Sequence, residues 1–334
     1  MKYHDSDRWR QNTTPVLKNS EPPLAELSTK DKKWDVRKLS SSKIENWYSS
    51  SKEFKSYGIR MGFCADFLQF ILTPDKKEAS LKLKLKNARF CRVSQCPICT
   101  WRKSRMWVSK MIKTMPSLIE KHPNFRFLFL TLTVRNCDIH DLGNTLTDMN
   151  KAWQRMIQKK SFPATGWLRT IEVTPGQEKD ENGNLRKDRA HPHFHCILVV
   201  QKSYFKSKKY LSKKKWIDLW QKSLRADYEP SVKVKAVKQD ADPMILVPEV
   251  VKYCTKVSDK LSDKEWFFEL TRQMHKRQTI TSGGILRTYL KDLEKENIDL
   301  IGHEEDNVED EINEGELYFT WRVKHKQYRM KVFN

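Results

Sequence analysis

No apolar run in this chain approaches the roughly 18–20 residues that a membrane-spanning helix needs. Nor is there a basic amphipathic stretch with a clean apolar face, so a membrane is not an expected partner. The opening residues, MKYHDSDRWRQNTTP, have neither an apolar centre nor a small-residue cleavage site, and no secretory signal is expected there. An even set of cysteines is also missing. There are seven, and without an export signal they point to a reducing cytoplasm, with metal ligation or simple burial in place of disulfides. No internal repeat of fixed period is present. Acidic side chains are scarce beside basic ones, 42 against 64, which leaves a formal net charge of +22. Such an imbalance costs self-repulsion and is usually kept for a polyanion. Nucleic acid is the expected partner.

What is there suits a chain with a real core and a heavily ionised surface: 38% hydrophobic and 32% charged over 334 residues, enough for one large domain or two small ones. Residues 1–55 are polar, serine- and lysine-rich, and read as a flexible basic tail with one short helix around Ser40–Tyr48. A cysteine-bearing subdomain is expected over 56–120, a core domain over 121–260, and a C-terminal extension over 261–334 that is helical and partly acidic. Leucines 81, 83 and 85 alternate with lysines as in a half-exposed strand. Arg102–Leu118 places Trp107, Met111, Met115 and Leu118 at helical spacing. Residues 125–134, FRFLFLTLTV, read as a central strand. Asp141–Lys159 repeats Leu142, Leu146, Met149, Trp153 and Met156 close to a 3.6 period. GWLRTIEVT (166–174) and HPHFHCILVV (191–200) read as strands joined by a turn-rich connection, which predicts antiparallel pairing. A helix is expected over Lys214–Ser223, a strand in PSVKVKAV, and helices through PEVVKYCTKVSDK and Trp266–Lys276, ended by Gly283–Gly284.

Three histidines, His191, His193 and His195, recur at every second residue. On a strand all three point to one side. The apolar run after them marks a strand buried on both faces, where imidazoles need a metal or a hydrogen-bond partner. Glu172, flanked by Ile171 and Val173 on the neighbouring strand, is the candidate carboxylate ligand. The plain alternative is a row of hydrogen-bonded core histidines. Further on, Glu249 and Tyr253 are four residues apart in a helix-compatible segment and share one face, with Lys252 and Lys256 beside the tyrosine. A phenol of pKa about 10 is a poor nucleophile at neutral pH unless nearby positive charge lowers the barrier. Taken alone, this pair is an ordinary helix face.

Cys91, Cys96 and Cys99 form C-x4-C-x2-C, half of a zinc knuckle, and Cys64 is the candidate for the missing fourth ligand. Reduced, unligated cysteines are the alternative. Arg92, Arg102, Lys103 and Arg105 crowd this cluster. A second basic group, Lys208, Lys209, Lys213 and Lys214, is interleaved with Tyr204, Phe205, Tyr210 and Trp216. Lysines neutralise phosphates and aromatic rings stack on unpaired bases, so both groups are candidate DNA contacts, against the reading of solvated lysine faces.

FLTLTV, then EVT followed by HPHFHCILVV, then EVVKYCTK stand in the order and approximate spacing of three motifs of one enzyme family. Over about residues 57–290 the chain resembles the HUH endonucleases (histidine, bulky apolar residue, histidine), specifically the rolling-circle plasmid replication initiators of Gram-positive bacteria. The resemblance implies that His193 and His195 hold the metal with Glu172 as third ligand, while His191 contacts these ligands or the substrate. It implies Mg²⁺ or Mn²⁺, although two imidazoles and a carboxylate also suit Zn²⁺ or Ni²⁺. Tyr253 would attack a phosphodiester of plasmid origin DNA, leaving a 5′-phosphotyrosine and a free 3′-hydroxyl. Glu249 would activate water to end the round, with Lys256 beside the phenol. Family members carry cysteines in matching places, which favours a structural Zn²⁺. A host helicase and polymerase are implied partners.

The expected fold class is α+β: a central antiparallel sheet of HUH nuclease type with the metal on one face, helices on the other and the tyrosine helix over the metal. A cysteine subdomain precedes it and a helical C-terminal extension follows. The rivals are a conjugative relaxase or single-strand transposase of the same chemistry, and a non-catalytic zinc-dependent DNA-binding regulator.

Overall fold

The computed structural model describes residues 21–74, 81–237, 263–294 and 315–331. The chain is α+β, with two antiparallel sheets, and divides into two compact units: Met1–Arg102 with Leu300–Asn334, and Lys103–Asp299.

In the first unit, helix α1 (Lys33–Ser49) and helix α2 (Lys55–Gly62) occupy a region read from sequence as a flexible tail. That reading is corrected for residues 21–55. Trp34, Lys38, Ser41, Ile44 and Tyr48 form the buried stripe of α1, spaced three and four residues apart. Two of these five are polar, which hides the stripe from a hydrophobic count. Strands β1 (Phe67–Pro74) and β2 (Leu81–Ala88) pair antiparallel. On the other side of β1 lie two strands from the far end of the chain, β9 (Glu316–Arg322) and β10 (Gln327–Met330), giving the order β10-β9-β1-β2. The C-terminal extension therefore contains helices, but its last described part is a hairpin. Phe319 and Tyr328, fully buried, hold it in place.

Helix α3 (Pro97–Lys121) leads into the second unit. Its sheet contains β3 (Phe125–Thr133), β5 (Ala164–Pro175), β6 (Arg189–Gln201), β7 (Val232–Ala236) and β8 (Ile280–Gly284) in the order β7-β3-β6-β5-β8, with the two-residue β4 (Cys137–Asp138) also on β6. The predicted antiparallel pairing of β5 with β6 is present, with Glu172 opposite His193. Helices α4 (Leu142–Ile157), α5 (Lys213–Leu224) and α6 (Lys264–Gln273) cover one face. There Trp153, Trp216, Trp220, Trp266 and Leu270 pack on Leu130, Leu132, Phe194 and Leu198. Burying each such large side chain contributes roughly 1.5–3 kcal/mol against conformational entropy.

The opposite face is divided. At one end Phe125, Phe127, Leu168, Ile197 and Val199 pack under Met111, Met115 and Leu118 of α3 and under Leu286 and Leu290 of helix α7 (Ile285–Glu294). Past Phe129, Ile197 and Leu168 the same alternating positions become Thr131, His195 and Thr170, then Thr133, His193 and Glu172. The pair Gly283–Gly284, read as a helix break, ends β8 and starts α7.

Candidate metal centre

The polar half of this face is built by register. Thr170 pairs with His195 and Glu172 with His193 across β5 and β6, so one carboxylate and two imidazoles share a side of the sheet. Phe194, between the histidines, points the other way into the core, where the Arg169 guanidinium lies 4.2 Å from its ring centroid and the tilted Trp220 ring lies 6.2 Å away. A fully buried ring on one face thereby fixes the imidazoles on the other. All three polar side chains are nearly closed off: Glu172 is 4% exposed, His193 8% and His195 9%.

Glu172 Oε2 lies 2.8 Å from His193 Nε2 and 2.8 Å from His195 Nε2. The three ligand atoms fall within 4.8 Å of one another. Ligands about 2.1 Å from a common divalent ion and at right angles to each other stand about 3 Å apart, so the set fits an ion. The ring orientations agree. His193 Nδ1 donates to the carbonyl of His191 at 3.1 Å, which turns Nε2 toward Glu172. His195 Nδ1 meets Thr131 Oγ1 at 3.3 Å, from the strand on its other side. Fixing one ring nitrogen is how a protein presents the other to a metal. Burial pushes the Glu172 carboxyl up, but the hydrogen bonds and positive charge of the two imidazoles prevail and hold it at about 2.

His191 stands apart from this set. Its Nδ1 bonds Asn136 Oδ1 at 2.6 Å, and burial together with the neighbouring His193 lowers its pKa. The structure thus brings Glu172, His193 and His195 together and leaves His191 beside them. Thr131 and Asn136 were not singled out from sequence. The threonines of FLTLTV do alternate with core leucines, but nothing local shows which of them faces an imidazole. Glu249, Tyr253 and Lys256 lie outside the described residues.

The cysteines form a second group. The Sγ atom of Cys64 lies 3.6 Å from those of Cys96 and Cys99, and Cys91 Sγ lies 3.5 Å from Cys99 Sγ. Four sulfurs at 2.3 Å from one tetrahedral zinc would be about 3.8 Å apart. Backbone N–H groups of Cys91, Arg92 and Val93 point at sulfurs, with Arg92 in the left-handed region at φ 56°. This is how a knuckle turn aims amides at thiolates. Cys64 is the fourth member, as expected. Helix α1 backs the site: the buried Lys38 Nζ donates to the Cys64 carbonyl at 2.6 Å, and Ser41 Oγ lies 3.7 Å from Cys96 Sγ. Both groups have the geometry to hold a metal.

The basic residues separate. Arg92 and Lys103 are exposed, Arg105 is half-buried, and the Arg102 guanidinium lies 4.5 Å from the Phe90 ring centroid. Lys208, Lys209, Lys213 and Lys214 are exposed, but α5 packs on the face opposite the imidazoles. The aromatic interleaving there is corrected: Trp216 is fully buried and Tyr204 is 5% exposed, its hydroxyl engaged with the Leu211 backbone. Of the four rings only Tyr210 stands clearly exposed, at 47%.

No described helix is long and apolar enough to cross a membrane. A family model described as "Replication protein" matches residues 82–329. A "Protein rep" of Streptococcus pneumoniae serotype 2 is 29% identical over 312 residues, covering 90% of this chain and 93% of that protein. A "Protein rep" of Bacillus amyloliquefaciens is 30% identical over 301 residues, 81% of this chain and 84% of the relative. A "Replication protein" of Staphylococcus aureus is 32% identical over 235 residues, 66% of this chain and 96% of its own length. No solved structure matches the chain.

Proposed function

The chain belongs to the replication-protein family, and on that premise we propose that it starts rolling-circle replication of a plasmid by nicking one DNA strand at the origin and rejoining it. The observation that carries this reading is the Glu172–His193–His195 cluster on the polar half of the sheet face. These residues would hold Mg²⁺ or Mn²⁺, which when bound supplies Lewis-acid activation of the scissile phosphate. A Zn²⁺ at Cys64, Cys91, Cys96 and Cys99 is structural in this reading.

Tyr253 provides the nucleophile. Its phenol oxygen bonds to phosphorus, the P–O3′ bond breaks and the phenolic proton ends on the departing 3′ oxygen. The products are a 3′-hydroxyl, which primes a host polymerase, and a 5′-phosphate esterified to Tyr253. Lys256 stabilises the developing phenolate by its charge. Rejoining is the reverse attack by a 3′-hydroxyl. Glu249, a helical turn before Tyr253, takes a proton from water when the phosphotyrosine is hydrolysed to end the round. A host helicase separates the strands, and the cytoplasm is where both partners are met.

Incubating the full chain with single-stranded DNA from its own origin and Mn²⁺ tests the reading. A covalent protein–DNA adduct is expected with the unaltered protein and none with Tyr253→Phe. DNA bound but never cut would instead identify a regulator. An adduct that survives Tyr253→Phe would remove the nucleophile assignment.

A further inference from the structure

Of the candidate DNA contacts read from sequence, Lys213 and Lys214 sit on α5, a helix that packs against the side of the sheet away from the imidazoles. Strand β7, the edge of this sheet among the described residues, carries two lysines. Thr131 pairs with His195 on one side and with Lys233 on the other. Residues directly opposite in antiparallel strands share a face. Of the alternate positions, Val232 is buried in the core on the other side of the sheet and Val234 packs half-buried against it. Lys233 and Lys235 therefore stand on the imidazole face, and both are exposed. Neither makes an ion pair among the described residues. With strands about 4.8 Å apart, Lys233 is about 10 Å from His195 between Cα atoms, a distance that a short run of nucleotides bridges. The two lysines are about 6.7 Å apart along the strand, on the scale of successive phosphates in an extended single strand.

We propose that Lys233 and Lys235 form a phosphate track that leads a single DNA strand across the metal-bearing face. The assignment rests on the nicking reading for the identity of its ligand. Lysines on an edge strand also protect it from pairing with other chains, and the experiment has to separate the two roles.

Binding of a fluorescently labelled single-stranded origin oligonucleotide to the full chain is measured by anisotropy without divalent metal, over a series of salt concentrations. The Lys233→Ala/Lys235→Ala protein is compared with Lys233→Arg/Lys235→Arg and with the unaltered chain. For single strands each phosphate contact contributes a slope of about 0.7 in log affinity against log salt. The double alanine variant is expected to lose about 1.4 from that slope, the arginine variant to keep it, and Mn²⁺ binding to stay unchanged in both. An unchanged slope in the alanine variant, or a loss that arginine does not restore, overturns the track and leaves edge protection. Because no turnover is involved, a lost slope in a protein that never forms a phosphotyrosine would uphold the track and remove the nicking reading.

Discussion

Thr131 Oγ1 and His195 Nδ1 meet at 3.3 Å, so the imidazole is held by β3 on one nitrogen and faces the Glu172 carboxylate of β5 with the other. A hydroxyl in this position orients the ring and is not itself one of the candidate ligands. Thr131→Val keeps the shape of the side chain and removes the hydroxyl. It is expected to weaken Mn²⁺ binding by about 10–100-fold, the usual range for such outer partners, with little change in thermal unfolding. Titration calorimetry checks it; equal affinities would show that Thr131 does not set the ring.

The Glu172 carboxyl carries a pH signature. Its folded value of about 2 lies below the ordinary 4.5, so the folded state favours the ionised form. The stabilisation is complete above pH 4.5 and is lost as pH falls toward 2. In metal-free protein, Glu172→Gln should lower the unfolding free energy at neutral pH by at most about 3 kcal/mol. The gap should narrow between pH 5 and pH 3 in urea titrations. A gap of constant size would mean that the imidazoles do not depress this group.

Cys64 closes the sulfur cluster from 27 residues upstream of Cys91. Cys64→Ser should reduce bound zinc well below one equivalent per chain by metal analysis. It should also lower the melting temperature by at least about 5 °C, because a structural zinc contributes directly to folding. Full zinc content in this variant would leave only reduced, unligated thiols.

Gly284, at φ 57°, joins β8 to α7, whose Leu286 and Leu290 cover the apolar half of the imidazole-bearing face. A Cβ there would collide with the Thr165 carbonyl as well as strain the backbone. Gly284→Ala should cost about 2–3 kcal/mol in denaturant unfolding. A change within 0.5 kcal/mol, the usual scatter of surface substitutions, would contradict the packing described at this junction.

By itself the sequence determined the elements with strong local period. The alternation in HPHFHCILVV placed the imidazoles on one side of a strand, the period of Leu142–Met156 made a helix, and C-x4-C-x2-C marked the knuckle. These follow from backbone geometry that a few neighbouring residues settle among themselves. Tertiary structure alone decided the rest. It buried Lys38 and Ser41 on α1 against the cysteine site, and that helix stripe was illegible because two of its members are polar. It brought β9 and β10 beside β1, turned Trp216 and Tyr204 from candidate base-stacking rings into core, and set Thr131 between His195 and Lys233. Register and long-range partners depend on the packing of many side chains distant in sequence, and no short window contains that sum.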